Sequence, residues 1–521
     1  MTASQIIEFL LLLLIAASVI ALAAHRLRVP YTVALVLGGF GIDFFHVPIQ
    51  HMMGSGSGAR AHLLTPDVVF ILFLPALLFE AGININFRSL RSTLAPIVLL
   101  ATAGVMVALA VTGFAVHWFI GIPLLPAIIF GALISATDPV AVLALFRSLG
   151  IEKRLAVLIE GESLLNDGTA IVLFQIMIAV ATGAGSPGVA DGVRQFAIVA
   201  IGGAALGLAF GYAASRITSH IDDARIEITL SMIIAYGTYL VAEHLHVSGV
   251  LATVMAGLMI GSYGARVGMS PRTRVALWAY WEYVSFAINS LLFLLIGIEV
   301  HFSELLAAWS AILLATLFVV VGRAAAVYSL VPLSNLFTTK IPVAWRHVTV
   351  WGGLHGAVSL ALALSLPADL PGRGTILTIT FGVVAFSIVV QGLTMKPLLR
   401  FLRIAMGEVH EHDILRIHAI AAKAAQRELE HLASESLISP GAQKRLRTEL
   451  EDRLAGLREQ IAQIEERHPE SLEKDLRLAR ARMAAAEKSA IRAAAADGLV
   501  SPETEDDLIR EADRHLDTLE P

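Results

Sequence analysis

Eight residues in the first third of the chain, Glu160 to Asp167, carry three carboxylates and an amide directly before an apolar run. If this stretch is helical, Ser163 and Asp167 are four residues apart and share one face, while Glu162 and Asn166 share the adjacent face. A carboxylate placed in hydrocarbon costs at least about 2.5–3.5 kcal/mol, so an Asp inside a membrane span indicates a function. We therefore expect Asp167 to be functional, whereas Glu160 is expected at the interface, where an acid suits the start of a helix.

The composition of the whole chain places this stretch in a membrane protein. The chain has 521 residues, of which 56% are hydrophobic, and its mean hydropathy is +0.73. Both values lie above ordinary globular usage. Cys is absent, which excludes disulfides and thiolate metal sites. Long apolar runs fill residues 1–403, whereas residues 404–521 are charged and rich in Ala, so we predict a transmembrane domain followed by a soluble helical tail.

The apolar runs and the residues that break them give thirteen candidate spans, and we predict an all-α polytopic fold with about thirteen transmembrane helices. The first run has neither a basic leader nor a clear cleavage site, so it is interpreted as a retained span. One set of loops carries fourteen Arg and Lys residues, whereas the other carries only Arg60, Arg194 and Arg373. The positive-inside rule then predicts an outer N-terminus and a cytoplasmic tail.

Two of the predicted spans are interrupted in their middles. The span 123–147 contains Asp138-Pro139, where Pro139 lacks a backbone donor and disfavours helix at the preceding residue. The span 345–367 contains three glycines within residues 352–356. If the seventh span links two inverted six-helix repeats, each repeat has its break in its fifth span. The two breaks therefore lie at matching positions. Matched interruptions of this kind indicate the binding site of a transporter.

The other charges inside the spans fit around one centre. Arg323 lies deep in the span 305–331, and an unpaired guanidinium there would be very costly. Glu162 is its most economical partner, because its face differs from that of Asp167. Glu80 either supports the site or reaches toward the interface, and the sequence does not decide between the two. For His355, in the second break, a structural role is favoured over titration near neutral pH.

Together these segments resemble the monovalent cation:proton antiporter-1 family, the sodium/proton exchangers, over roughly residues 5–403. The motifs that carry the resemblance are Phe79-Glu80-Ala-Gly82, Thr137-Asp138-Pro139, Gly161-Glu162-Ser163-Leu-Leu-Asn166-Asp167, Gly322-Arg323 and Trp351-Gly-Gly-Leu-His-Gly-Ala-Val-Ser359. One position departs from the family pattern, which usually has Arg where this chain has His355.

The resemblance implies a homodimer in the plasma (inner) membrane, with a dimerisation domain and a moving six-helix core in each protomer. It implies that Asp167 is the ion and proton carrier. The residues that it implies for the Na⁺ site and its immediate surroundings are Asp167, Asp138, Ser163, Thr137 and Asn166. Glu162 and Arg323 would form a structural ion pair, and Glu80 would be a supporting acid.

Charge counting then predicts how such a site works. Na⁺ is a hard cation that prefers oxygen ligands, and a carboxylate shielded from water can take a proton in its place. One site that holds either ion exchanges them by competition, without a cofactor. Because residue 166 is Asn rather than a second Asp, the same net charge crosses in both directions. We therefore expect 1:1 electroneutral exchange by alternating access.

Other functional classes remain as alternatives. The nearest is a potassium/proton exchanger, since the sequence does not separate Na⁺ from Li⁺ or K⁺. A proton-gated cation channel is more distant, because one carboxylate beside matched inverted repeats suits stoichiometric exchange better. The Ser-His or paired-Asp signatures of a membrane enzyme are not evident, so we expect no enzymatic activity. The expected partners are membrane lipid and a second copy of the chain, not nucleic acid.

The tail contains an internal repeat. Leu437–Leu454 aligns with Leu499–Leu516 at a fixed offset of 62 residues. Each copy has a Ser-Pro pair that predicts a helix start, with Ser as the N-cap and Pro at the first helical position. Apolar residues at helical spacing from Leu446 to Ile464 are predicted to pack within a small helical bundle.

Overall fold

The computed structural model describes residues 3–27, 30–44, 66–85, 87–183, 188–221, 223–299, 302–404, 408–435 and 437–467, with scattered positions beyond. Within these ranges the chain forms helices joined by turns and irregular connections, without a β-strand. It divides into two compact units, Met1–Ile404 and Ala405–Pro521.

The helices of the first unit are, in chain order, α1 (Ala3–Leu27), α2 (Tyr31–Phe44), α3 (Leu74–Asn84), α4 (Phe87–Leu99), α5 (Val105–Ile120), α6 (Leu124–Ile134), α7 (Val140–Leu149), α8 (Lys153–Ala181), α9 (Val189–Thr218), α10 (Ala224–His244), α11 (Gly249–Met259), α12 (Ala265–Val267), α13 (Pro271–Glu299), α14 (Phe302–Ala307), α15 (Trp309–Ser334), α16 (Val343–Trp351), α17 (Ala357–Leu364), α18 (Arg373–Phe386) and α19 (Gly392–Phe401). Short π-helical segments precede α3 (Val68–Phe73) and join α4 to α5 (Leu100–Gly104), α11 to α12 (Ile260–Gly264) and α18 to α19 (Ser387–Gln391).

Among the described residues, eight continuous helical segments are long and apolar enough to cross a membrane. They are Thr93–Ile120, Lys153–Ala181, Ala190–Thr218, Ala224–His244, Gly249–Val267, Pro271–Glu299, Trp309–Ser334 and Arg373–Phe401. Shorter apolar helices accompany them, including the two that flank the first break. The predicted all-α membrane class is confirmed, whereas the number thirteen and the inverted repeats remain predictions.

Both interruptions lie where the sequence predicts them, and they contact each other. Residues 135–139 separate α6 from α7, and residues 352–356 separate α16 from α17. The backbone N–H of Asp138 in the first break donates to the carbonyl of Leu354 in the second, at 2.7 Å. Because a membrane interior offers no water to a broken helix, each break here supplies a partner for the other.

Helix α8 occupies the centre of the first unit and carries the acidic stretch. It packs against α4 and α6, and 56% of its most apolar stretch is buried, compared with 17% for α9. A helix with this burial turns its polar residues toward protein rather than lipid. The expectation that Glu160 begins the helix is wrong. Only three residues connect α7 to α8, so α8 already begins at Lys153 and Glu160 lies two turns inside it.

In the part of the second unit that the structure describes, two helices pack against each other, α20 (Glu408–Ser434) and α21 (Pro440–Arg467). The Oγ of Ser439 accepts a hydrogen bond from the N–H of Ala442 at 3.3 Å, as the Ser-Pro start predicts. Leu454 is buried, but Leu446 is 45% exposed, so the predicted apolar stripe is only partly covered. Apart from two isolated positions, the second copy of the repeat lies outside the described residues.

Candidate functional site

Thr137, in the first break, contacts three polar side chains of α8. Its backbone N–H donates to the carboxylate of Asp167 at 3.2 Å, and its hydroxyl donates to Ser163 Oγ at 3.2 Å. Asn166 Nδ2 donates to Thr137 Oγ1 at 3.2 Å, and the Ser163 hydroxyl donates to the Thr137 carbonyl. All four residues are buried. The spacing of three and four residues along α8 therefore brings the predicted polar face onto the broken helix.

Asp138 is held between the two breaks. One of its carboxylate oxygens accepts from the N–H of Val140 at 2.9 Å, which caps the first turn of α7. The other carboxylate oxygen lies 2.5 Å from the position that a Cβ at Gly356 would occupy. Only Gly fits at that point of the second break, because any side chain would overlap the carboxylate.

A cavity of about 260 Å³ adjoins these residues. Thr137, Asp138, Ser163 and Asp167 all contribute to its lining. Asp167 is only 8% exposed and still lines the cavity. Several oxygen atoms thus converge on a space that admits a monovalent cation with some of its water.

Glu162 and Arg323 form a buried bidentate ion pair on the other side of α8. The Arg323 guanidinium donates to the two carboxylate oxygens at 3.1 and 2.8 Å. Its Nε donates to the carbonyl of Thr349 at 3.0 Å, so the pair joins α8, α15 and α16. A Cβ at Gly353 would lie 2.1 Å from Arg323 Nε, so the backbone of the second break packs directly against this guanidinium.

Asn166 faces this pair rather than the larger cavity. It lines a separate cavity of about 20 Å³ together with Glu162 and Arg323. That volume holds about one water molecule. Through Nδ2 the same side chain holds the hydroxyl of Thr137, so Asn166 connects the ion pair to the site without lining the space where a cation would enter.

Comparison with known proteins agrees with this geometry. The family model described as sodium/hydrogen exchanger, transmembrane, matches residues 11–401. The chain belongs to this family. The exchanger is 40% identical over 407 residues to the Na⁺/H⁺ antiporter ApNhaP of Aphanothece halophytica, covering 78% of this chain and 75% of that protein. It is 37% identical over 466 residues to the Na⁺/H⁺ antiporter NhaG of Bacillus atrophaeus, covering 88% and 87% of the two chains.

A solved structure shares the fold of the exchanger. The sodium proton antiporter MjNhaP1 from Methanocaldococcus jannaschii aligns with a TM-score of 0.63, at 20% sequence identity. The alignment covers 76% of this chain and 98% of that one. At this level of identity the likeness concerns the arrangement of the helices alone.

Most residues singled out from the sequence of the exchanger lie in or beside the cavity, and sequence reasoning missed two others. Glu80 lines the cavity and accepts a hydrogen bond from Asn84. Glu160, expected at the interface, lines it as well, seven residues before Asp167 and therefore on the same helical face. Arg147 lines it too, although the sequence marks it only as one of many basic loop residues. The spacing from Glu160 to Asp167 is a signal that could have been used, whereas nothing in the sequence locates Arg147.

His355 is buried in the second break and joins it to the first. Its Nδ1 lies 3.1 Å from the carbonyl of Ala136, which also accepts from the Ser359 hydroxyl at 3.2 Å. Its backbone N–H donates to Ser387 Oγ at 3.1 Å. These contacts suit the structural role favoured for His355, because they satisfy backbone groups that the interruptions leave free.

We expect Glu162→Gln and Arg323→Gln each to lower the free energy of unfolding by about 3–5 kcal/mol, because each strands a buried charge. The double substitution should cost less than the sum of the two. Thermal unfolding of the purified protein in detergent measures this. Arg447→Gln, which breaks the exposed Arg447–Glu451 pair in the tail, is the control and should cost less than about 1 kcal/mol. Strictly additive losses would contradict energetic coupling between Glu162 and Arg323.

We expect Gly356→Ala to weaken cation-dependent exchange by about tenfold or more, since displacing a site group by about 1 Å can cost about a hundredfold. The added methyl group would overlap Asp138. Gly374→Ala is the matched control, because a Cβ there meets nothing within 4 Å. Exchange rates in proteoliposomes give the comparison, and equal rates for the two variants would show that the tight approach to Asp138 does not matter for transport.

Proposed function

We propose that this chain exchanges Na⁺ for H⁺ across the plasma membrane by alternating access. The observation that carries the proposal is the position of Asp167, a buried carboxylate that lines a cavity and accepts a hydrogen bond from a broken helix. Membership of the sodium/hydrogen exchanger family supports it. The Na⁺/H⁺ antiporters named in relatives at 37–40% identity support the choice of cation.

Asp167 is the proposed carrier, and the other site residues complete its oxygen shell. Asp138, Ser163 and Thr137 line the same cavity and offer carboxylate, hydroxyl and carbonyl oxygens, which suit a hard monovalent cation. Asn166 takes part through Thr137, whose hydroxyl it holds. Glu80 supports the site from the cavity wall.

Exchange follows from competition at this one site. Burial disfavours a bare carboxylate, so Asp167 carries either the cation or a proton whenever the site closes. The bidentate contact with Arg323 neutralises Glu162, and residue 166 is an amide. Neither residue therefore adds a second titrating charge to the one that Asp167 carries. The loaded core then has the same net charge in both directions, and the stoichiometry is 1:1.

The proposed arrangement in the membrane has the N-terminus outside, the tail in the cytoplasm and two copies forming a homodimer. The excess of Arg and Lys on one set of loops supports this orientation. The loop between α7 and α8 belongs to that set, and Arg147 beside it lines the cavity, so the cavity opens to the cytoplasm. The core would move against the dimer scaffold to expose Asp167 on the other side.

Asp167→Asn should abolish exchange and leave the fold intact, because the amide has nearly the same shape but neither binds a cation strongly nor releases a proton. Purified protein in proteoliposomes, with Na⁺, Li⁺ or K⁺ added as the driving ion, measures the proton flux and separates a sodium from a potassium exchanger. Asp369→Asn, at an exposed turn, is the matched control and should keep wild-type rates. Cation-driven proton flux in the Asp167 variant would overturn the assignment of the carrier, while Asp138→Asn should weaken the affinity for the cation without complete loss.

Exchange should be independent of the membrane potential, because Asp167 with a cation and Asp167 with a proton are equally charged. The potential acts on net charge moved, at about 2.3 kcal/mol per charge per 100 mV. Initial rates under imposed potentials of either sign, at fixed ion gradients, should coincide. A steady current would show unequal stoichiometry, and proton leak without any counter-cation would identify a channel.

A further inference from the structure

The wall of the larger cavity carries one basic side chain among the described residues that line it. Arg147 lies in the last turn of α7, and its side chain is exposed. The other lining side chains with charge are carboxylates: Glu80 on α3, Glu160 on α8, and Glu282 on α13, together with Asp138 and Asp167 of the proposed site.

Arg147 acts on these carboxylates through space. In the described part of the chain it forms no ion pair shorter than 4 Å, yet it interacts electrostatically with both Glu80 and Glu160. All three side chains line the same cavity, so a cation that enters can approach the two carboxylates without first breaking a salt bridge. The guanidinium thus shares a space with the transported ion.

We propose that Arg147 is a positioning residue that sets the apparent affinity of the exchanger for its cation by opposing the charge of Glu80 and Glu160. This inference rests on the proposed function. The carboxylates draw cations toward Asp167, and the fixed positive charge limits how strongly they do so. Removing that charge should make the site take up its cation at a lower concentration.

The distance along α7 sets the expected size of the effect. Seven residues separate Val140 at the start of α7 from Arg147, a rise of about 10 Å. A unit charge about 10 Å from the site, with effective dielectric constants between about 20 and 80, changes binding by about two- to seventeenfold. The effect should shrink as ionic strength rises, because the cavity is open to solution.

The experiment compares the KM for Na⁺ and the maximal rate of proteoliposomes, at an alkaline pH where protons compete least. Arg147→Gln should lower the KM by about two- to seventeenfold, Arg147→Lys should keep the wild-type KM, and Glu160→Gln should raise it. Raising ionic strength with choline chloride should bring the KM of the Gln variant toward that of wild type. Arg216→Gln, at the exposed end of α9 and away from the cavity, is the matched control and should change nothing.

A lower KM for Na⁺ in Arg147→Gln means tighter apparent binding of the cation, which structural damage to the site would not produce. An unchanged or higher KM in Arg147→Gln, with exchange intact, would overturn the role of Arg147 while leaving the proposed function in place. A lower KM in Arg147→Lys equal to that of the Gln variant would also overturn it, because the charge would then be irrelevant. Absence of cation-driven exchange in the wild-type protein would instead overturn the proposed function itself.

Discussion

A membrane interior offers no water to an interrupted helix, and the first unit is built around that constraint. The two breaks satisfy it together. Asp138 N–H donates to the carbonyl of Leu354, while His355 and Ser359 both contact the carbonyl of Ala136. Because the breaks hold each other, the chain can keep carbonyl and hydroxyl oxygens within the helix bundle, beside the cavity.

The charged side chains around the two contacting breaks have different roles. Arg323 balances Glu162 with two hydrogen bonds on one side of α8, and the neutral side chain of Asn166 lies beside this pair. Asp167 faces the other side, toward the cavity, with Asp138 near it. One face of a single helix thus carries a compensated charge that fixes the packing, and the adjacent face carries a carboxylate left available for an ion.

The sequence predicts the parts of this site that depend on spacing and on helix breakers. Pro139 and the glycines of residues 352–356 mark both interruptions. Four-residue spacing places Asp167 on the face of Ser163, and Glu162 lies on a different face. The cost of a lone guanidinium in lipid suffices to suggest the partner of Arg323. These inferences use only local geometry and the energetic cost of an unpaired charge in a membrane.

What the sequence does not predict depends on how the helices are arranged around the cavity. The sequence predicts Glu160 at the interface because an acid suits the start of a helix, whereas the structure places it two turns inside α8, on the cavity wall. The entry of Arg147 into the cavity depends on the orientation of α7 relative to α8. That orientation is fixed by tertiary packing and leaves no periodic signal in the chain.

The central position of Asp167 in α8 has an electrical consequence. The helix has 29 residues, a length of about 43 Å, and Asp167 is at its midpoint. A cavity that is open to solution and reaches Asp167 carries little of the membrane field, so most of the voltage drop lies across the packed half beyond the site. Binding from the cavity should therefore move almost no charge through the field. Addition of Na⁺ on the cavity side should then produce no measurable transient current, as expected of a cycle whose rate does not depend on the potential.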